Sequence, residues 1–192
     1  MKKIVLASSS KYRKVLLHRI LKEFETVSPD IDEKSFHSLG LSPRELAERL
    51  ALEKALAVQK KHSDQTIIAS DQLVHFENQV FGKPETKEHA IGQLELFSGK
   101  SHELITSVCV LNHAECLLET NITQLTMKKL THERIQKYID EDLPLDCAGS
   151  YKIEKLGISL FENIQTNDPT AIEGLPLTIV VKLLEQLDFQ IP

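Results

Sequence analysis

Cationic side chains and serine hydroxyls come together in one short stretch near the start of the chain. Residues 6–17 read LASSSKYRKVLL and follow an apolar run that begins at Ile4. This order predicts a buried strand that leads directly into a helix capped by a serine. The N–H groups and the dipole of such a helix end attract anions, so a bound phosphate would explain the basic residues Lys11, Arg13 and Lys14. Taken alone, an ordinary strand–turn–helix with a solvated basic face explains the stretch equally well.

Carboxylates occur at two places where phosphate chemistry would use them. Asp71 follows a predicted buried strand, and there it would activate water as a general base or hold a divalent ion. Asp30, Asp32 and Glu33 form an acidic cluster, and such oxygens suit Mg²⁺ or Mn²⁺ bound to phosphates. A turn aspartate and a solvated acidic loop are the alternatives, and each is favoured while its residues are considered alone.

Two lysines and one glycine-containing segment complete the candidates. Lys83 lies between Gly82 and Pro84, in a stiff loop that a phosphate can approach closely, and Lys54 is a second candidate phosphate ligand. The alternative for Lys54 is an ordinary surface lysine, since a lysine at the edge of a helix face can extend its ammonium group into solvent. The segment GSYKIE, residues 149–154, would line a base pocket or form an ordinary edge strand.

Composition and charge exclude several classes of protein. The chain has 192 residues and a net charge of −5, which argues against a general nucleic-acid or anionic-membrane binder. Its three cysteines lack CxxC spacing and its eight histidines form no HxH or HExxH pair, so neither a disulfide framework nor a histidine metal site is indicated. No GxxxxGK[ST] and no GxGxxG motif is present, which weakens the kinase and dinucleotide-binding alternatives. We expect a cytoplasmic protein with reduced thiols and neither a membrane nor a nucleic-acid partner.

Capping residues and hydrophobic runs predict the elements that position these side chains. Ser42, Pro43 and Glu45 form a capping box with proline at the first helical position. The remaining predictions follow from similar signals. They are a helix from Ser42 to about Lys61, a buried strand over Thr66–Ala69 that ends at Ser70-Asp71-Gln72, a short strand over Gln79–Gly82, a helix capped by Thr86 and ending near Phe97, a long hairpin with Asn112-His113 near its turn, a helix from Thr131 to about Glu141, a strand over Ile158–Phe161 and a helix over Leu177–Leu187. Alternating strands and helices with a hairpin predict an α/β fold with a mixed sheet, and no linker separates independent domains.

Several motifs resemble those of the Maf family of nucleotide pyrophosphatases, in the same order along nearly the whole chain. They are LASSSxxR, SDQ after a buried strand, GKP, SG before a strand, and CAGSYKxE followed by LF, DP and GLPL. The resemblance implies one domain over residues 1–192, with two lobes around a central cleft. It also implies an elongated mixed β-sheet flanked by helices, shared with inosine triphosphate pyrophosphatases, and a homodimer.

The resemblance further implies hydrolysis between the α and β phosphates of a nucleotide, with Mg²⁺ or Mn²⁺ as cofactor. Asp71 would accept the proton of the attacking water, and Glu33 together with Asp71 would contact the metal. The residues implied to contact the triphosphate are Ser8, Arg13, Lys54 and Lys83.

Three positions resemble the subgroup that acts on 7-methyl-GTP, namely Tyr12, Gln72 and Glu154. The subgroup acting on dTTP and UTP usually carries arginine, threonine and glutamine there. A 7-methylated guanine is positively charged, so an aromatic face and a carboxylate would both favour it. The alternatives are a dTTP/UTP or broad-range house-cleaning pyrophosphatase, and a nucleotide-binding regulator of cell division with little turnover.

Overall fold

One seven-stranded sheet runs through the computed structural model, which describes residues 3–191. Its strands are β1 Ile4–Ala7, β2 Glu25–Val27, β3 Thr66–Phe76, β4 Gln79–Phe81, β5 Ser101–Leu111, β6 Cys116–Met127 and β7 Phe161–Gln165. Their order across the sheet is β2-β1-β3-β5-β6-β7, and β4 pairs with β3. β1 is parallel to β2 and β3, whereas β4 and β7 pair antiparallel with their neighbours. The sheet is therefore mixed, as the sequence predicts, and its strand order is open.

Six α-helices lie within residues 3–191, and four of them begin where a capping serine or threonine predicts a start. They are α1 Lys11–Leu17, α2 Glu33–Phe36, α3 Pro43–Gln59, α4 Lys87–Phe97, α5 His132–Asp142 and α6 Leu177–Gln186. The single-turn helix over Glu33–Phe36 was not predicted. The side chains of Ser10, Thr86 and Thr131 cap α1, α4 and α5. The capping box at the start of α3 is complete, because Ser42 and Glu45 each accept a hydrogen bond from the other's backbone N–H. Within residues 3–191, no helix is long and apolar enough to cross a membrane.

The described chain forms two compact units. The first consists of residues 3–71, 106–121 and 168–191, and the second of residues 72–105 and 122–167. The division falls inside the long strands β3, β5 and β6, each of which contributes residues to both units.

The first unit packs helices on both faces of its part of the sheet. Side chains alternate along β1, because successive residues of a strand point to opposite faces. Ile4 and Leu6 belong to a core with α1 and α6, whereas Val5 and Ala7 pack with α3. This three-layer arrangement buries both faces of the parallel strands, which explains why the run from Ile4 is apolar throughout.

The predicted end of the third strand is wrong. Ser70, Asp71 and Gln72 do not terminate β3, which continues to Phe76. Ser70 and Asp71 are buried, and their side chains are paired with polar groups from other elements. Because a satisfied polar side chain is tolerated inside a sheet, the polar triplet interrupts the hydrophobic pattern without ending the strand.

The strand predicted over Ile158–Phe161 is also wrong. A 3₁₀ turn occupies Leu156–Leu160, and β7 begins only at Phe161. A Cβ on Gly157 would lie 2.3 Å from the backbone oxygen of Lys152. The chain therefore turns closely against its own backbone here, and an extended strand is excluded.

The GSYKIE segment of the second unit is likewise not an edge strand. Its first residues form a 3₁₀ turn over Ala148–Ser150, and Gly149 has a φ of +76°. A Cβ at Gly149 would lie 2.6 Å from the ring of Tyr151 and 2.9 Å from Val74. Glycine is therefore required at this turn by both its backbone conformation and its surroundings.

A buried histidine lies in the aromatic core of the second unit. His102 stacks on Phe97 with ring centroids 4.7 Å apart, and its Nε2 lies 3.1 Å from the hydroxyl of Tyr151. Its Nδ1 is buried and has no hydrogen-bond partner among the described residues. Burial lowers the pKa of His102 to about 4.

We expect this histidine to make folding stability depend on pH. The unfolded chain binds a proton at this histidine near the ordinary pKa of 6.5, and the folded protein does so only near 4. The stability that depends on a neutral His102 is therefore fully present above pH 6.5 and is lost as the pH falls toward 4. At pH 5 the loss is about 2 kcal/mol. Urea unfolding at pH 8 and pH 5 measures it, and His102→Phe should lose less stability between these pH values than the wild type. His113→Asn, a change at an exposed histidine, should behave as the wild type does; an equal loss in His102→Phe would contradict the assignment.

Candidate active site

The turn between β1 and α1 is held by serine side chains. Ser8 is buried, and its Oγ accepts a hydrogen bond from the backbone N–H of Ser10 at 3.1 Å. Ser10 in turn accepts from the backbone N–H of Arg13 at 3.4 Å. These bonds fix the first turn of α1, so the position of Arg13 relative to β1 follows from local hydrogen bonding.

Arg13 is anchored to a distant loop by one edge of its guanidinium. Its Nε donates to the carbonyl oxygen of Gly174 at 2.8 Å, and Ser70 Oγ donates to the same oxygen at 3.0 Å. Burial lowers the pKa of Arg13, while the charges of Asp71 and Glu33 act in the opposite direction. The guanidinium therefore lies within the electrostatic field of both carboxylates.

A lysine ammonium lies between the same two carboxylates. Lys54 Nζ is 2.6 Å from Asp71 Oδ1 and 2.9 Å from Glu33 Oε1. The side chains of Lys54 and Asp71 are only 7% and 8% exposed, whereas that of Glu33 is 50% exposed. A nearly buried ion pair thus opens to solvent on the Glu33 side. We call Glu33, Lys54 and Asp71 the charged triad.

The elements that carry the charged triad differ in rigidity. Lys54 lies in the middle of α3, where Leu50, Ala51 and Ala55 bury the same face. Asp71 lies inside β3, and the neighbouring Ser70 fixes the strand to Gly174. Glu33 begins α2, a single turn capped by Asp32 with no buried residue. Two members therefore have rigid supports, and the third is on an exposed turn.

The structure brings some of the predicted site residues together within the first unit. Arg13, Glu33, Lys54 and Asp71 interact as described, and Ser8 supports the turn that precedes Arg13. Tyr12, also in this unit, is half-buried, and the ammonium of Lys11 lies 5.0 Å from its ring centroid.

The other three predicted residues belong to the second unit. Gln72 is half-buried in β3, directly after Asp71. Lys83 is exposed in the loop after β4. Glu154 is exposed and follows the 3₁₀ turn that contains Gly149.

Three features of this site were not predicted from the sequence. They are the pairing of Lys54 with both carboxylates, the hydrogen bond of Ser70, and the carbonyl of Gly174 that two side chains share. Ser70 and Gly174 do lie inside motifs, SDQ and GLPL. A backbone carbonyl as acceptor leaves no residue-type signal, because every residue carries one.

The fold is shared with a solved structure of low sequence similarity. A HAM1 protein from Coxiella burnetii superposes with a TM-score of 0.50 over 97% of this chain and 100% of its own, at 14% identity. This agreement confirms the α/β class with an open sheet flanked by helices.

Sequence comparison shows the family. The model of the Maf-like proteins matches residues 3–187. A protein of Bdellovibrio bacteriovorus is 46% identical over 184 residues, with 96% of each chain covered, and one of Xanthomonas axonopodis is 43% identical over 192 residues with full coverage of both. A Pseudomonas aeruginosa protein is 41% identical over 191 residues, with 98% of each chain covered. All three relatives bear the name 7-methyl-GTP pyrophosphatase. The chain belongs to the Maf family, as its motifs predict.

Proposed function

We propose that this protein is a nucleotide pyrophosphatase that hydrolyses 7-methyl-GTP to 7-methyl-GMP and pyrophosphate. The names of its relatives support this reaction and this substrate. The observation that carries the proposal is the charged triad, in which one ammonium lies within 3 Å of two carboxylates. Such a site offers a cation for phosphate oxygens and carboxylates for a proton or a metal ion, which are the groups that phosphoanhydride hydrolysis needs.

In this proposal Asp71 is the general base. Its carboxylate takes the proton of the water that attacks between the α and β phosphates, and the buried setting limits competition from bulk solvent. Arg13 and Lys54 balance charge on the triphosphate together with Lys83, and Ser8 contributes a hydroxyl. Since Arg13 is anchored through Nε, its two terminal nitrogens form the edge that binds oxygens in pairs.

The donor set fits Mg²⁺ or Mn²⁺. Within residues 3–191, no three or more histidine, cysteine, aspartate or glutamate side chains are placed so that together they could hold a metal ion. Mg²⁺ does not need such a set, because it is commonly held by one or two carboxylates together with substrate phosphates and water. Glu33 and Asp71 would supply those two carboxylates in place of their contacts with Lys54. A bound divalent ion would neutralise charge that develops on the leaving pyrophosphate.

Base selection is assigned to Tyr12, Gln72 and Glu154. The contact of Lys11 with Tyr12 supports a cation-binding role for this ring, since 7-methylguanine is itself a cation. A carboxylate such as Glu154 accepts from the N1–H and N2–H₂ groups of guanine, whereas thymine and uracil present a carbonyl oxygen to it. Gln72 would donate to or accept from the base or the sugar.

Pyrophosphate release from 7-methyl-GTP, GTP, dTTP, UTP and CTP tests the proposal. With Mg²⁺ or Mn²⁺, 7-methyl-GTP should have the highest kcat/KM. Preference for dTTP or UTP would overturn the base assignment and keep the class of enzyme. No release from any of the five would favour the nucleotide-binding regulator.

The homodimer and the cytoplasmic setting belong to the same proposal, and sedimentation velocity measures whether the protein is a dimer.

The substitution Glu154→Gln tests the base assignment separately. It should lower kcat/KM for 7-methyl-GTP by about tenfold to a hundredfold, because a hydrogen bond to a charged group contributes about 1.5–3 kcal/mol. Glu162→Gln, on the exposed part of β7, is the matched control and should leave kcat/KM unchanged. If Glu154→Gln also left it unchanged, Glu154 would not contact the base.

A further inference from the structure

A buried carboxylate that the proposed reaction does not use accepts four hydrogen bonds. Asp168 is 1% exposed. Its Oδ1 accepts from the backbone N–H and the hydroxyl of Thr170 at 2.8 and 2.5 Å, and its Oδ2 accepts from the same two groups of Thr178 at 2.8 and 2.7 Å. Burial raises the pKa of Asp168, but these bonds together lower it below the ordinary value. The side chain is therefore a satisfied, ionised carboxylate.

Asp168 closes a loop in the chain of the first unit. Its two oxygens bind residues 2 and 10 positions further along the chain, so one side chain fixes both ends of residues 168–178. Thr170 Oγ1 also accepts from the backbone N–H of Leu177 at 2.8 Å, and Thr106 Oγ1 donates to the carbonyl of Ala171 at 3.1 Å. Before α6 begins at Leu177, the loop contains only the 3₁₀ turn over Pro169–Ala171 and the short backbone turns that follow it, so these side-chain bonds contribute much of its shape.

The middle of this loop carries the acceptor that anchors Arg13. Gly174 has a φ of +104°, and its N–H donates to Ala171 O at 3.0 Å. Its carbonyl accepts from Arg13 Nε at 2.8 Å and from Ser70 Oγ at 3.0 Å. A guanidinium held at Nε has a fixed plane, so the direction of its Nη edge depends on where this carbonyl lies.

We propose that Asp168 is a positioning residue for Arg13, which it orients through the loop of residues 168–178 and the carbonyl of Gly174. The proposal rests on the proposed function for the role of Arg13 at the triphosphate. It assigns to Asp168 no contact with the substrate. Loss of the four-bond arrangement leaves the guanidinium free to rotate, so nucleotide binding weakens while the groups that carry out hydrolysis stay in place.

Two substitutions test this role by kinetics. Asp168→Asn replaces one acceptor oxygen with a donor, and Thr178→Val removes one hydroxyl while keeping the shape of the side chain and the backbone N–H. For each, KM for 7-methyl-GTP should rise about tenfold with kcat changed less than about threefold, which is the pattern of lost uniform binding. Asp140→Asn, at an exposed residue of α5 that pairs with Lys87, should change neither constant. A lower kcat with unchanged KM in both variants would overturn the proposal.

A double-mutant cycle separates positioning from a merely structural role. In an Arg13→Lys background, Asp168→Asn should no longer raise KM, because a lysine has no Nε–H to anchor on Gly174 and no Nη edge to orient. If Asp168 only supports the fold, its effects on KM and on the melting temperature would be the same in both backgrounds, and the proposal would fail.

The orientation of Arg13 has a readout that does not depend on any enzymatic activity. In ¹⁵N NMR spectra the Nε–H signal of Arg13 is assigned by its disappearance in Arg13→Lys. In the wild type the Nε proton should exchange slowly with solvent. It should exchange at least about tenfold faster in Thr178→Val, since opening of a hydrogen bond governs such exchange. Unchanged exchange would overturn the positioning role even if the nucleotide is hydrolysed. Faster exchange in a protein that hydrolyses no nucleotide would support the positioning and overturn the proposed function.

Discussion

Replacement of Asp71 with asparagine is expected to lower kcat for 7-methyl-GTP by a factor of about 10² to 10⁴, the usual contribution of a general base. Asparagine has nearly the same shape but cannot accept a proton from water. Pyrophosphate release with saturating Mg²⁺ measures the effect. Asp64→Asn, at an exposed residue before β3, is the matched control and should keep the wild-type rate. A loss of less than about threefold in Asp71→Asn would remove Asp71 from the chemical step.

Nucleotide binding should survive this substitution, which separates catalysis from binding. Lys54 keeps its contact with Glu33 at 2.9 Å, and Arg13 keeps its anchor on Gly174. Titration calorimetry with 7-methyl-GTP should therefore give a Kd within about fivefold of the wild-type KM, provided that chemistry is slow compared with dissociation. If binding were lost together with turnover, the main role of Asp71 would be to bind a cation or to stabilise the fold.

Four of the helices could be predicted from the sequence because their start signals are local. Ser10, Ser42, Thr86 and Thr131 each cap a helix at the residue where their hydroxyls suggest it. A cap depends only on residues within one turn, so no knowledge of the tertiary fold is needed.

The end of β3 could not be predicted in this way. The polar triplet that begins at Ser70 has the composition of a turn, and only residues far along the chain make it tolerable inside a strand. Gly174, which accepts from Ser70, is 104 residues away, and Lys54 is 17 residues from Asp71. A pattern within a short window contains neither partner, so tertiary pairing decided the outcome.

In the candidate site, too, some features could be predicted from the sequence and others depend on tertiary contacts. Residue type and motif order were enough to select Arg13, Glu33, Lys54 and Asp71, which the first unit brings together. The direct pairing of Lys54 with both carboxylates depends on the docking of α3 beside β3, a tertiary contact that no motif records. The roles of Tyr12, Gln72, Lys83 and Glu154 stay predictions.

Removal of the cation from the charged triad should have the largest effect on stability. In Lys54→Met the carboxylate of Asp71 stays almost buried and loses a partner at 2.6 Å. The free energy of unfolding at pH 7 should fall by about 3 kcal/mol, since an uncompensated buried charge costs several kcal/mol. Urea unfolding measures the loss. Lys137→Met, which removes an exposed ammonium 4.0 Å from Glu141, should change stability by less than about 0.5 kcal/mol.

A double substitution identifies the source of that loss. Asp71→Asn in the Lys54→Met protein removes the buried charge itself, so the double variant should be more stable than the sum of the two single losses predicts, by about 1–3 kcal/mol. Strictly additive losses would mean that the stem of Lys54, packed beside Leu50, Ala51 and Ala55, provides the stability and that its charge does not. Coupling of the expected sign would show that the ammonium offsets a carboxylate which the fold holds away from water. In the proposed reaction this carboxylate is the proton acceptor for the attacking water, so the cycle tests the same side chain by a route independent of activity.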